Sequence, residues 1–208
     1  MKLHASNVTP YGRKVRIVLA ELGLPYDRDE AGAAQRPLEQ HAGLNPALRV
    51  PILEDGERVL IDSNLIIKYL LGNYAWRVTA GAPTPPLATG LARSQHYWDD
   101  RKLLSVLDAL LETTVNLRQL GLSGIAPAQS TYLQRHQERI AHILDWLEHR
   151  ADAEGLLPGR FSVQDLSLVC ALDFGEHFGI FAWRGLPRLE ALMARLSERP
   201  SVQQTRLE

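Results

Sequence analysis

The sequence predicts two domains, a small α/β domain followed by an all-α domain. In the first part of the chain, short apolar runs alternate with segments whose apolar residues recur at helical spacing, a pattern typical of a mixed sheet covered by helices. The segment "TAGAPTPPLATG" follows, and its Pro, Gly, Ala and Thr content predicts a linker. Beyond it only helical spacing is found. We place the first domain at residues 1–76, the linker at 77–89 and the second domain at 90–208.

Length, composition and charge are those of an ordinary soluble globular protein. The chain has 208 residues, of which 45% are apolar and 23% charged, and its net charge is −1. That charge gives no field to hold a nucleic acid or an anionic membrane, so neither partner is expected. No apolar run approaches the roughly 20 residues of a spanning helix. The start lacks the apolar segment of a secretory signal, so we expect a cytoplasmic location.

The first domain begins with a β-α-β pattern and ends with a hairpin and a helix. "KLHA" predicts a strand, and the helix after it starts at Pro10, because proline suits the first helical turn. Gly23 and Pro25 end this helix, "PYDRDE" predicts a second strand, and "AQRPLEQHAG" predicts an irregular helix. "RVPIL" and "ERVLI", joined by "EDG", predict an antiparallel hairpin. Asp62 or Ser63 caps the next helix.

The second domain is predicted to contain helices only. A long helix from about residue 91 to 120 is interrupted by "LSGIAPAQ", and a second helix carries apolar residues from Leu133 to Leu147. Ser162 and Asp165 form a capping box before a third helix, and Pro187 opens the last one.

Histidines and the cysteine are predicted to be structural. His136 shares an apolar helix face, so we predict a hydrogen-bonded core histidine. The seven histidines show no metal-ligand spacing, and no metal site is predicted. Cys170 lies in an apolar run, which predicts an inert thiol, and a single cysteine excludes an internal disulfide.

The stretch "SNVTPYGRKVR" places the hydroxyls of Ser6 and Thr9 at the start of the first helix. A helix amino terminus presents free N–H groups and a positive dipole end, and together with a hydroxyl donor these lower the pKa of a nearby thiol. The alternative is that Thr9 only caps the helix. The three cations that follow, Arg13, Lys14 and Arg16, are interpreted as a solvated helix face.

Two further motifs suit the recognition of a peptide. A cis Val50–Pro51 bond at the start of a strand would turn the backbone N–H and C=O of Val50 outward, and the alternative is a trans proline at an edge strand. Asp62 and Ser63 would meet the ammonium and the carboxylate of an amino-acid head group, the carboxylate with help from the helix N–H groups. The alternative is ordinary helix capping.

Taken together, these motifs resemble one family. "TPYGRKVR", "NPALRVP", "DSNLIIKYL", "FSVQD" and "GLPRLEALMARLSERPS" are similar to segments of the cytosolic glutathione transferases, and the resemblance extends over nearly the whole chain. The short "TPY" turn is most similar to the bacterial, serine-type, theta- or zeta-like branches. The resemblance implies a thioredoxin-like amino-terminal domain, a helical carboxy-terminal domain, a homodimer and glutathione as cosubstrate, without a metal.

The resemblance also assigns residues. It places Thr9 at the thiol-activating position, Val50–Pro51 at the cysteinyl backbone of glutathione, and Arg49 near the glycyl carboxylate. It places Asp62 and Ser63 at the γ-glutamyl end. Three positions depart from the family pattern, since Thr9 replaces serine, Asp62 replaces glutamate and Leu48 replaces a glycine.

A second-substrate pocket is implied between the domains, and its candidate side chains are Tyr11, Tyr97, Trp98, Arg101 and Trp183. The implied reaction is attack of the glutathione thiolate on an electrophilic, hydrophobic small molecule. Two alternatives stay open. One is a binding or regulatory module without activity, and the other is a different glutathione-dependent reaction, such as isomerase, lyase, dehalogenase or peroxidase chemistry.

Overall fold

The computed structural model describes residues 1–30, 41–77, 97–152, 154–157 and 160–207. Its Cα packing divides the chain into two compact units, of which the first comprises Met1–Thr89 and Pro200–Glu208 and the second Gly90–Arg199. The sequence gives no sign that the last residues belong with the first unit. The predicted linker lies almost wholly outside the described residues, so the predicted domain boundaries stay a prediction.

The first unit is built on a four-stranded sheet with the order β2-β1-β3-β4. The strands are β1 (Lys2–His4), β2 (Asp27–Asp29), β3 (Ile52–Asp55) and β4 (Arg58–Ile61). β1 pairs parallel with β2 and antiparallel with β3, and β3 and β4 form the predicted hairpin. The predicted α/β class of this part is therefore confirmed.

Three helices of the first unit are described, α1 (Pro10–Glu21), α2 (Ser63–Tyr74) and the short α7 (Pro200–Gln203), and a 3-10 turn, Ala75–Arg77, follows α2. α1 begins with its proline, as predicted, and is followed by Gly23, whose φ of +58° favours glycine. Leu3, Leu53 and Ile66 are completely buried, so the sheet and α2 share an apolar core. The predicted irregular helix lies largely outside the described residues.

The end of the chain is attached to α1 by polar contacts. Nη2 of Arg16, a side chain only 3% exposed, donates to the backbone oxygen of Thr205 over 3.2 Å. The Ser201 hydroxyl on α7 donates to the Glu21 carboxylate at the end of α1. These contacts account for the grouping of the last residues with the first unit.

Asp55, where β3 turns into the hairpin, connects the sheet to α2. Its Oδ2 accepts hydrogen bonds from the hydroxyls of Tyr74 over 2.6 Å and Tyr69 over 2.7 Å. The Tyr74 bond is the main reason that the pKa of Asp55 is lowered, and the same bond raises the pKa of Tyr74. These bonds connect the hairpin to the carboxy-terminal half of α2.

The second unit contains four described helices, α3 (Tyr97–Leu122), α4 (Thr131–Arg150), α5 (Val163–His177) and α6 (Pro187–Ser197), with a 3-10 turn at Pro127–Gln129. This confirms the predicted all-α part, although the predicted start of the first of these helices, near residue 91, lies outside the described residues. None of the described helices is both long and apolar enough to cross a bilayer. Gly175 lets Phe181 approach α5, because a Cβ at this position would lie 2.2 Å from the ring.

The predicted capping box at the start of α5 is confirmed and fully buried. Oδ2 of Asp165 accepts from the Ser162 backbone N–H over 2.8 Å and from the Ser162 hydroxyl over 2.6 Å. Oδ1 accepts from the Leu156 N–H over 2.9 Å. Burial raises the pKa of Asp165, and these hydrogen bonds oppose that rise. Cys170, farther along α5, is buried as predicted.

His136 on α4 was predicted to be a hydrogen-bonded core histidine, and only the core location is confirmed. It is buried, with 3% of its surface exposed, but neither ring nitrogen has a hydrogen-bond partner among the described residues. The ring instead makes an edge contact with Tyr132, at 4.4 Å between centroids. Burial, together with the charge of Arg139, lowers the pKa of His136.

Acid should therefore destabilise the protein through His136. An ordinary histidine has a pKa of about 6.5, so as the pH falls below that value the unfolded chain takes up a proton at this position before the folded protein does. The free energy of unfolding therefore falls as the pH drops from about 6.5 toward the lower pKa of His136 in the folded protein. The slope is at most about 1.4 kcal/mol per pH unit. His136→Leu should remove this component in urea unfolding at several pH values, whereas His142→Leu, on the exposed part of α4, should keep it. Equal acid sensitivity of His136→Leu and the parent would refute the assignment.

Candidate functional site

The sheet register brings the three candidate motifs to one edge. His4, at the end of β1, pairs with Ile52 at the start of β3, and Ile52 pairs with Ile61 at the end of β4. Neighbouring strands lie about 4.8 Å apart, so the segments that leave these strand ends are neighbours. The α1 turn, the Val50–Pro51 pair and the start of α2 therefore meet at this edge, with Val50–Pro51 between the other two.

In the α1 turn, Ser6 and Thr9 have different roles. Ser6 is 4% exposed, and its Oγ accepts a hydrogen bond from the Thr9 backbone N–H over 3.2 Å. Thr9 occupies the N-cap position of α1, but its side chain makes no cap hydrogen bond. The capping alternative for the Thr9 hydroxyl is therefore wrong. Thr9 is half-buried beside the free N–H groups of the first helical turn.

Gly12 fixes the side chain of Thr9 and was not identified from the sequence. A Cβ at Gly12 would lie 2.8 Å from the Thr9 methyl carbon and 2.7 Å from Cβ of Ala5. The methyl group of Thr9 thus packs against the Cα of Gly12, and the hydroxyl occupies another position on the same Cβ. The sequence did contain an indication, since a glycine in the first turn weakens a helix and is therefore expected there only where close packing requires it.

The prediction that the three cations of α1 form a solvated helix face is wrong, because all three side chains are buried. Arg13, Lys14 and Arg16 are only 1%, 0% and 3% exposed. Nζ of Lys14 donates to Oδ1 of Asn64 over 2.8 Å, and so connects α1 to the first turn of α2. Long charged side chains bury their methylene stems and bring their polar ends to partners, which a helical pattern does not reveal.

The loop before β3 contains the predicted cis Val50–Pro51 bond. Asn45, 2% exposed, organises this loop, since its Nδ2 donates to the Arg49 oxygen over 2.6 Å and its Oδ1 accepts from the Ala47 N–H over 2.9 Å. Leu48 has a φ of +54°, a left-handed conformation that favours glycine. Arg49 is exposed, and sequence reasoning missed the role of Asn45.

Asp62 and Ser63 form the start of α2. Oδ1 of Asp62 accepts from the N–H groups of Asn64 and Leu65, both over 2.9 Å, so the predicted cap is present. Both bonds use Oδ1, which leaves Oδ2 outside the cap, and Asp62 is exposed. Its φ of +70° is strained for a non-glycine residue, and Ser63 is 4% exposed. Capping and ligand binding by Asp62 are thus compatible.

The candidate side chains of the second-substrate pocket are divided between the two units. Tyr11, on α1, is half-buried in the first unit. On α3, Trp98 is 79% exposed, and the Arg101 guanidinium lies 5.7 Å from the centroid of the half-buried Tyr97 ring. Trp183 is 1% exposed within the second unit, so it is a core side chain and we remove it from the candidate set.

Comparisons with known proteins find similarity to glutathione S-transferases. A family model described as glutathione S-transferase, N-terminal domain, matches residues 3–83. Glutathione S-transferase 3 of Zea mays is 28% identical over 218 residues, covering 99% of this chain and 92% of the relative. A stringent starvation protein A homolog of Haemophilus influenzae is 27% identical over 206 residues, covering 99% of this chain and 89% of the relative.

Solved structures show the same fold along the whole chain. A glutathione transferase family member from Pseudomonas fluorescens Pf-5, with bound glutathione, has a TM-score of 0.79 and 27% identity and covers 100% of this chain and 98% of its own. The family model matches the unit that carries the candidate site, and the relative from Zea mays extends the similarity to the helical unit. Residues 3–83 therefore match the amino-terminal domain of the glutathione S-transferases, and the whole chain is similar in sequence and in fold to members of that family.

Proposed function

We propose that the protein is a glutathione transferase in which Thr9 activates the thiol, as in the serine-type branch. The observation that carries this proposal is the Thr9 side chain, which stands at the amino terminus of α1 without capping it. Its hydroxyl is therefore able to donate to a sulfur. The hydroxyl and the helix N–H groups both favour the thiolate over the thiol, and together they lower the pKa of a bound thiol.

Glutathione lies along the edge of the sheet in this proposal. Its cysteinyl backbone pairs with Val50 before Pro51, in the middle of the site. Oδ2 of Asp62 meets the γ-glutamyl ammonium, while the Ser63 hydroxyl and the N–H groups of α2 meet the carboxylate. Arg49, exposed beside the loop, binds the glycyl carboxylate.

The bound thiol first loses its proton to solvent, and the thiolate sulfur then attacks an electrophilic carbon of a hydrophobic small molecule. The carbon–sulfur bond forms as a leaving group departs with its electron pair, or as the π electrons of an activated double bond shift to its far atom, which then takes up a proton from solvent. The nucleophile belongs to the cosubstrate, so no residue of this chain becomes covalently attached. Tyr11, Tyr97, Trp98 and Arg101 are the candidate contacts of that molecule. A homodimer and a cytoplasmic location belong to the same proposal.

Glutathione binding is measured directly by titration calorimetry. The protein should bind glutathione, and Ser63→Ala should weaken the affinity by about 10- to 100-fold, since a hydrogen bond to a charged group contributes roughly 1.5 to 3 kcal/mol. Ser105→Ala, which removes an exposed hydroxyl from α3, is the matched control and should bind like the parent. Equal affinity of Ser63→Ala and the parent would exclude Ser63 from the site.

A second candidate function is a regulatory or binding module without transferase activity. It is kept because one relative that is similar over 99% of this chain, the stringent starvation protein A homolog of Haemophilus influenzae, is not named a transferase. This alternative predicts no glutathione binding even at millimolar concentration. If glutathione binds but no electrophile is conjugated, isomerase, lyase, dehalogenase and peroxidase assays on the same preparation decide among the other glutathione-dependent reactions.

A further inference from the structure

A cluster of possible metal ligands lies in the first unit, contributed by three distant parts of the chain. His4 on β1, Asp29 on β2 and His41 each offer one ligand atom, and these atoms all lie within 4.8 Å of one another. His4 and Asp29 are register partners in the parallel pair, so their side chains leave the same face of the sheet. Residues so far apart in the sequence form no local motif, which is why histidine spacing does not predict the cluster.

His4 is held by a carboxylate on one side and lacks a hydrogen bond on the other. The ring is 3% exposed, and Nε2 lies 2.6 Å from Oε1 of Glu54 on β3. Nδ1 lies 3.0 Å from Oδ2 of Asp29, but no hydrogen bond connects them or joins Nδ1 to any other described residue. When Nε2 donates to a carboxylate, Nδ1 carries the lone pair that a metal ion binds.

His41 supplies a second buried nitrogen. It is 3% exposed, and its Nδ1 is buried without a hydrogen-bond partner among the residues that the structure describes. Its ring lies edge-on to His4, with 4.9 Å between the centroids and 73° between the planes. A buried polar atom without a partner is costly, and two such nitrogens beside one carboxylate are explained most simply by a shared cation.

We propose that His4, Asp29 and His41 bind a divalent transition-metal ion, with Glu54 orienting the His4 ring. Two imidazoles and a carboxylate suit Zn²⁺ and similar ions, whereas Mg²⁺ and Ca²⁺ prefer oxygen ligands only. Metal–ligand bonds of about 2.0 to 2.2 Å require the three ligand atoms to lie closer together than the present limit of 4.8 Å, so the side chains move toward the ion when it binds. The ion joins two strands of the sheet to residue 41 and so braces the first unit.

The test uses the full chain without an affinity tag, stripped of metal by a chelator and titrated with Zn²⁺. One ion should bind per chain, and a hundredfold excess over the dissociation constant should raise Tm by about 5 to 10 °C. Co²⁺ at the same site should give the visible absorption bands of a four- or five-coordinate ion. His41→Ala and Asp29→Asn should each weaken Zn²⁺ binding at least about 100-fold.

Two variants separate this site from adventitious binding at the surface. His142→Ala removes an exposed histidine and should bind Zn²⁺ like the parent. Glu54→Gln should bind about tenfold more weakly with the Co²⁺ bands retained, because Glu54 orients a ligand without binding the ion. The proposal fails if the parent binds no Zn²⁺ at millimolar concentration, or if a folded His41→Ala variant, checked by circular dichroism, binds as tightly as the parent.

Discussion

Replacing Thr9 by valine is expected to slow conjugation by about 10- to 100-fold at neutral pH while glutathione still binds. The change removes the hydroxyl and keeps a methyl group against Gly12, so the turn should keep its shape. A hydrogen bond to a charged group contributes roughly 1.5 to 3 kcal/mol, and that contribution is lost from the thiolate. The pKa of the bound thiol should therefore rise toward the roughly 8.5 of a free thiol.

The measurement is the pH dependence of conjugation to a chromogenic electrophile, together with the ultraviolet absorbance of the bound thiolate. Thr9→Ser keeps the hydroxyl and should restore both readouts, whereas Thr131→Val, an exposed position on α4, should leave them at the parental values. A Thr9→Val variant that conjugates as fast as the parent, with an unchanged pH profile, would show that Thr9 is not the activating group. Calorimetry on the same variant tests separately whether glutathione binding is retained.

The largest expected loss of stability follows from Asp165→Ala. Its carboxylate is 0% exposed and accepts three hydrogen bonds, two from Ser162 and one from the Leu156 N–H. Alanine leaves these donors buried without the carboxylate and removes one half of the capping box of α5, so the free energy of unfolding should fall by roughly 3 to 5 kcal/mol. That is a large share of the stability of a typical domain, about 5 to 15 kcal/mol.

Guanidinium unfolding followed by circular dichroism measures this loss. Asp145→Ala is the matched control, because its side chain is 71% exposed, and it should change stability by less than about 0.5 kcal/mol. Asp165→Asn should also be strongly destabilising. In one orientation the NH2 group of the amide faces the donors of Ser162, and in the other it faces the Leu156 N–H. A loss below about 1 kcal/mol for Asp165→Ala would contradict the assigned role of this network.

Features encoded by neighbouring residues were predictable from the sequence. The hairpin, the start of α1 at Pro10, the cap at Asp62 and the box at Ser162 and Asp165 all depend on turn chemistry and on hydrogen bonds between residues close in sequence. Each was predicted, and each is present. The segments of the candidate site were predictable for the same reason, because each of them adjoins one of these helix starts or the hairpin.

Features decided by tertiary packing were not predictable. The hydrogen-bond partner of Lys14 is Asn64, fifty residues away, and none of the described residues that pack against α4 offers His136 a hydrogen bond. Trp183 is an aromatic residue of the kind that lines ligand pockets, but its side chain is buried in the core of the second unit. Helical spacing indicates which side chains share a face, but not what the rest of the chain places against that face.

The contacts of Ser201 and Thr205 with α1 have a consequence for how the protein folds during synthesis and for how it can be divided. During synthesis the first unit stays incomplete until Thr205 has left the ribosome, because Arg16 finds one of its backbone acceptors only there. A recombinant fragment of residues 1–89 would lack that acceptor and the contact of Ser201 with Glu21. Cutting within the predicted linker would therefore remove two contacts that hold α1, and a fusion partner placed after residue 208 would be attached to the unit that carries Thr9.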